Sequence, residues 1–99
     1  MDFTEKVHKA AARILKGRVS TYALVAKAIG KPRAARAVGN ALNKSPGMPK
    51  CPCHRVVKSD GTLGGFESGP AAKKRLLSRE GIRFKGSKVR DFKRKLYAF

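Results

Sequence analysis

Acidic side chains are scarce in this 99-residue chain. Asp2, Glu5, Asp60, Glu67, Glu80 and Asp91 stand against 24 Lys and Arg, for a formal net charge of +18. None of them falls between Lys6 and Ser59, a stretch that holds thirteen of the cations. A surface that gathers positive charge without local compensation repels itself unless its usual partner is a polyanion. Nucleic acid is the first candidate and an anionic membrane the second; charge that serves solubility alone is the plainer alternative. Long apolar runs are missing as well. No stretch of about 18 apolar residues occurs, which excludes a membrane-spanning helix of the usual kind. Asp2, Glu5 and Lys9 interrupt the N-terminus as a secretion signal. The expected compartment is the cell interior: cytoplasmic, nucleoid-associated in a prokaryote and nuclear in a eukaryote.

Cysteine is nearly absent. Cys51 and Cys53 share the run KCPCHRVV, too close together to staple loops as a disulfide framework does. The further candidates for metal ligation are His54 and a distant His8, a poor set for zinc, so no metal is expected. What remains is a chemically used thiol or a merely buried one. Cys51 reads as a small apolar residue. There is no internal repeat and no low-complexity tract. At 41% hydrophobic content the chain holds material for one small core, so a single domain over 1–99 is expected.

Helical periodicity is clear in the first half. Val7, Ala10, Ala11, Ile14 and Leu15 recur at helical spacing, with Asp2 or Thr4 suited to cap the start and Gly17 to stop it. After a short extended link at Arg18 and Val19, Ser20 suits the N-cap of a second helix carrying Leu24, Val25, Ala28 and Ile29. Gly30, Lys31 and Pro32 form a turn. A third helix then points Ala34, Ala35, Val38, Ala41 and Leu42 inward. Two short helices joined this way read as a helix-turn-helix. Residues 45–52, rich in Pro and Gly, predict an irregular loop. The glycine-rich SDGTLGGFESGP suits a wing or a substrate-facing loop. A helix from about Pro70 to Glu80, ended by Gly81, comes next, and then a short ribbon and a final helix. The expected fold is mainly α: a winged helix-turn-helix-like DNA-binding domain with a short β-ribbon.

Two sets of residues carry chemistry. Arg33, Arg36, Asn40 and Asn43 fall on one side of the third helix, where Ala37 and Gly39 keep it slim enough to approach a nucleic-acid groove. A solvated face would carry Arg and Asn too. In PCHRVV, Cys53 needs a neighbouring base to become a thiolate at neutral pH. His54 is the next residue, and Glu80 is the acid best placed by type to orient that imidazole. A Cys-His pair kept as buried structure is the plainer reading.

The run PCHRVV, preceded by RAARAVGNAL and followed by GGF and LLSREG, resembles the O6-alkylguanine-DNA alkyltransferases, also called methylated-DNA–protein-cysteine methyltransferases. The resemblance spans about Phe3 to Gly81. It implies that Cys53 accepts the alkyl group, that His54 acts as base through a bridging water, and that Glu80 orients His54. It further implies that Tyr22 rotates the nucleotide and hydrogen-bonds the extruded base. Arg36 becomes the finger that fills the gap left by the flipped guanine. Arg33, Gly39, Asn40, Ser45 and Ser59 join Tyr22 and Arg36 in the implied DNA contact. The implied base pocket comprises Tyr22, Cys53, Val56, Phe66 and Glu67, with Gly65 in its wall. The implied partner is double-stranded DNA containing O6-alkylguanine, bound by a monomer through the minor groove. The implied reaction is irreversible, single-turnover and free of any cofactor.

Departures from the family pattern also stand in the sequence. Ser45 replaces a usual asparagine, and Phe66 a frequent tyrosine. Many relatives carry an N-terminal domain; the expectation for this sequence is none. Two other function classes fit in part. Alkyltransferase-like damage binders resemble this chain but replace the reactive cysteine, which is present here. A winged-helix regulator explains the charge and the helix pair but leaves Pro52-Cys53-His54-Arg55 without a purpose.

Overall fold

Asp2 opens the first helix by accepting a hydrogen bond from the Glu5 backbone N–H at 2.8 Å, which satisfies one of the four orphan donors of a helix start. In the computed structural model, which describes residues 2–43, 52–64 and 69–99, this helix (α1) runs Phe3–Ala12 and buries Val7, Ala10 and Ala11. It stops earlier than its apolar spacing predicts. Arg13 and Ile14 donate three residues back, to Ala10 and Ala11, and this tighter turn shifts the next side chains off the helix's own faces. Ile14 stays in the core, whereas Leu15 is 61% exposed.

Ser20–Thr21 form a short strand (β1) and Tyr22–Ala28 the second helix (α2). The N-cap is Thr21 rather than Ser20: Thr21 Oγ1 accepts from the Leu24 N–H at 3.0 Å. Ser20 is committed elsewhere, pairing with Val56 in the strand ladder and donating its hydroxyl to the Tyr97 carbonyl at 2.9 Å. Within α2, Val25 and Ala26 are fully buried; Ala28, expected inward, is exposed. Gly30, at φ 79°, ends the helix. Its N–H donates to Lys27 and that of Lys31 to Ala26, the paired bonds of a Schellman cap that only a left-handed residue completes easily.

The third helix (α3) spans Ala35–Asn43 and buries Val38, Ala41 and Leu42 against α1 and α2. The helix-turn-helix expected from the periodicity is present. After it, Cys53–Arg55 make one 3₁₀ turn and Val56–Val57 a strand (β2) parallel to β1, with Ser20 opposite Val56 and Thr21 opposite Val57. Parallel pairing demands a long crossover, and the α2–α3 unit lies inside it. The next helix (α4) covers Pro70–Arg79, with Pro at its start as predicted. The expected ribbon is Phe84–Lys85 (β3) against Lys88–Val89 (β4), and the final helix (α5) is Phe92–Lys95. These elements share a second small core of Val19, Val57, Leu63, Leu77, Ile82 and Val89. Beyond α5, Tyr97 N–H donates to Val19 O at 2.6 Å, so β1 is held on both sides. Among the described residues no helix is long and apolar enough to cross a membrane.

Candidate active site

Cys53, His54 and Arg55 all face inward because the chain leaves the extended path at Pro52 (φ −80°, ψ 57°). The Arg55 N–H then closes the turn on the Pro52 carbonyl at 2.9 Å. Cys53 is 7% exposed and His54 1%. Glu80 reaches the same turn from the end of α4. That end is a second Schellman cap: Gly81, at φ 90°, donates to Ser78 and Ile82 donates to Leu77.

A carboxylate at a helix C-terminus meets the negative end of the dipole, so Glu80 depends on cations. Arg55 supplies one through two bonds, Nε to Oε1 at 2.8 Å and Nη2 to Oε2 at 2.6 Å. Its Nη1 donates to the Ile14 carbonyl at 2.9 Å, tying the turn to the segment after α1. His54 Nε2 lies 3.2 Å from Glu80 Oε2, off the line of a straight hydrogen bond. Burial pulls the His54 pKa below the ordinary imidazole value, against the opposing pull of Glu80. The ring is therefore neutral at pH 7, the form that accepts a proton. Burial alone would raise the Glu80 carboxyl, but the hydrogen bonds and charges of Arg55 and His54 outweigh it and hold the pKa below the usual range.

Tyr22 stands at the first position of α2, one step beyond the Thr21–Val57 pair, so the parallel β1–β2 register sets its backbone level with Lys58, while its phenol feels the charge of Cys53. Its ring lies between two glycines. A Cβ added to Gly39 would sit 3.7 Å from Tyr22 Cε1, and one added to Gly64 would come within 2.8 Å of the Tyr22 hydroxyl. Gly64 also has φ 73°, so both overlap and backbone strain reserve that position for glycine. The hydroxyl accepts from Lys73 Nζ at 3.2 Å. Lys73 is fully buried on α4. Burial pushes its pKa down to about 8, with nearby Cys53 opposing. Burial and the charge of Cys53 together push the Tyr22 phenol up. Cys53, Tyr22 and Lys73 thus form one electrostatic cluster.

Tyr22 also opens onto a groove of about 410 Å³ lined by Arg36, Gly39, Asn40 and Asn43 of α3 and by Lys58 and Ser59 after β2. The structure therefore brings Tyr22, Arg36, Gly39, Asn40 and Ser59 to one surface, and Cys53, His54 and Glu80 to one buried cluster beneath it. Arg33 precedes α3 and lines a separate hollow with Gly30–Ala34, because the helix starts two residues after it. Val56 is fully buried in the core beside Cys53. Ser45, Cys51, Gly65, Phe66 and Glu67 lie outside the described residues.

Three residues at this site escaped the sequence reading. Lys73 shares a helical face with Leu77 and Glu80, a spacing that marks it as inward. Arg55 was visible as a lone cation inside an apolar run. Lys58 is placed by the strand register. Among the described residues no group of three or more His, Cys, Asp or Glu is placed to hold a metal ion.

Residues 2–82 match the family described as the DNA binding domain of 6-O-methylguanine DNA methyltransferase. The chain is similar to a methylated-DNA–protein-cysteine methyltransferase of Methanosarcina barkeri, 49% identical over 79 residues, which cover 80% of this chain and 50% of the relative. It thus spans about half the length of that protein. Among solved structures, S. pombe Atl1 in complex with damaged DNA containing O6-carboxymethylguanine superposes with a TM-score of 0.85 at 29% identity, covering 98% of this chain and 95% of that one. Mycobacterium tuberculosis OGT in complex with DNA gives 0.77 at 41% identity, covering 81% and 50%. The chain belongs to the 6-O-methylguanine DNA methyltransferase family through its DNA-binding domain.

Proposed function

We propose that this chain repairs alkylated DNA directly, Cys53 taking an alkyl group from O6 of a guanine in duplex DNA once per molecule. The observation that carries this reading is a buried thiol followed by a neutral histidine set against an ionised, doubly bonded carboxylate. With Nε2 turned to Glu80, Nδ1 is the ring nitrogen that remains to take the thiol proton. The thiolate attacks the alkyl carbon, the carbon–oxygen bond breaks with its electron pair passing to O6, and the guanine, still joined to its strand, takes up one proton in place of the alkyl group, balancing the one His54 accepts from the thiol. The product is a thioether, which neither His54 nor water cleaves, so each molecule acts once.

The groove supports the same reading. Guanine O6 faces its pairing partner inside a duplex, so a thiol reaches it only after the nucleotide is extruded, at a cost of a few kcal/mol. Arg36 lines the groove where a side chain can take the vacated space, as wedge residues do in minor-groove proteins. Tyr22 joins groove to thiol. Its hydroxyl accepts from Lys73, and as a phenol it can donate in turn to an acceptor on an incoming base.

A second reading, lesion binding without transfer, draws on the whole-length likeness to Atl1. Intact-protein mass after mixing with duplex containing O6-methylguanine, followed by peptide mapping, separates the two. One added methyl on Cys53, saturating at one per protein and lost in Cys53→Ser, is the expected result. No mass change with tight, lesion-selective binding would instead make the protein a damage sensor.

A further inference from the structure

Residues 83–99 lie beyond the span matched to the family and carry seven cations against one acid, Asp91. Their placement is unusual for charge that only keeps a protein soluble. The β3–β4 turn puts Lys85 directly opposite Lys88, and like charges facing across a ribbon oppose the fold. A third lysine joins them: Lys74 of α4 donates to the Gly86 carbonyl at 3.1 Å, at the tip of the same hairpin. Lys93 and Arg94 of α5 continue the exposed surface, lining a hollow with Lys88.

This basic ridge is continuous with the α3 groove. Thr62 bridges Lys88, and the Val89 N–H donates to Gly61 O at 2.9 Å. The turn so fastened presents Lys58 and Ser59, which line the groove beside Arg36. Asp60 lies near Lys58 and Lys88. It has its own work in the turn: Oδ1 accepts from the Thr62 N–H at 3.0 Å and from its hydroxyl at 2.7 Å. Asp91 also lines the ridge and leaves it strongly positive.

We propose that the hairpin tip and α5 form a second DNA-contact surface, which follows the phosphate backbone of the duplex flanking the lesion. It rests on the reading that this chain binds duplex. The protein's long dimension of 36 Å matches about ten base pairs at 3.4 Å each. The ridge adds affinity without reading sequence, and sits outside the chemistry.

The test compares wild type with Lys85→Ala/Lys88→Ala and Lys93→Ala/Arg94→Ala, both remote from Cys53. On a duplex extending well past the lesion, each pair should weaken binding roughly tenfold and lower the salt slope by about 0.9 for every phosphate no longer neutralised. On a duplex covering only the lesion and its immediate neighbours the loss should be small. Benzyl uptake from free O6-benzylguanine should be unchanged, which certifies folding, and the Lys85→Arg/Lys88→Arg pair should retain binding. Unchanged affinity and slope on the long duplex would overturn the second surface while leaving the repair reading intact. A wild-type chain that reacts with the free base yet binds no duplex would overturn both.

Discussion

At the scale of single residues, the site is a set of charges that burial has made interdependent. Glu80 ties two neighbours: its carboxylate holds Arg55 through two bonds and lies 3.2 Å from His54 Nε2. The pH response can be worked out from the directions of the shifts. His54 is depressed, so the unfolded chain takes up its proton first as pH falls through about 6.5, and stability declines from there downward. Glu80 is also depressed, and its contribution is lost further into acid. Lys73 acts at the other end. Its folded pKa of about 8 lies below the ordinary 10.5, so the unfolded state binds more protons between them and stability rises with pH. The slope over this window is at most about 1.4 kcal/mol per pH unit. Above about pH 10 Tyr22, whose pKa is raised, pulls the other way. Denaturant titrations should show the alkaline rise in wild type between pH 8 and 10 and its absence in Lys73→Met. A Lys73→Met protein that kept the rise would assign it to another group. The sequence made Cys53, His54 and Glu80 legible because PCHRVV is distinctive and acids are few. It hid Lys73, whose charge masks an inward position that only helix phase reveals.

At the scale of elements, α3 has two cleanly divided faces. Val38, Ala41 and Leu42 anchor it, leaving Arg36 and Asn40 exposed on the groove. Among the described residues Arg36 lines the groove and not the Cys53–His54–Glu80 cluster, so its effect should appear with duplex substrates alone. Arg36→Ala should slow transfer from duplex by roughly tenfold or more, the loss of a few kcal/mol of help in extrusion being the upper bound. Its reaction with free O6-benzylguanine should be nearly normal. Equal losses on both substrates would deny it the finger role. Element boundaries were less legible than element existence. Periodicity found every long helix, yet Ser20 and Thr21 are equally good caps in sequence, and strand pairing with Val56 decided between them. Arg33, expected on the groove face, precedes it, because that face begins only at Ala35.

At the scale of the molecule, affinity and selectivity have different physical origins. A net charge of +18 attracts any duplex, whereas an alkyl group on a base adds no charge for it to sense. Raising salt should therefore weaken binding to undamaged and alkylated duplex in parallel, steeply for both, because counterion release depends on phosphate contacts alone. Their ratio should stay nearly constant in a competition titration. A ratio that collapsed with salt would mean that lesion recognition is itself ionic. This overall charge was the most legible property of the chain, since it needs no fold to be read.

The strand that leads into Tyr22 is fastened from far along the chain, Ser20 to Tyr97 across 77 positions, and the carboxylate beside His54 lies at the end of α4, well after the cysteine turn. Closing such long loops has an entropic cost that local contacts do not offset until the chain is nearly complete. On a ribosome, Cys53 emerges before Glu80, Lys73 and Tyr97 are available. A nascent chain thus exposes an ordinary, mostly protonated thiol, and on the proposed reading a protein that acts once is not armed until it has been made.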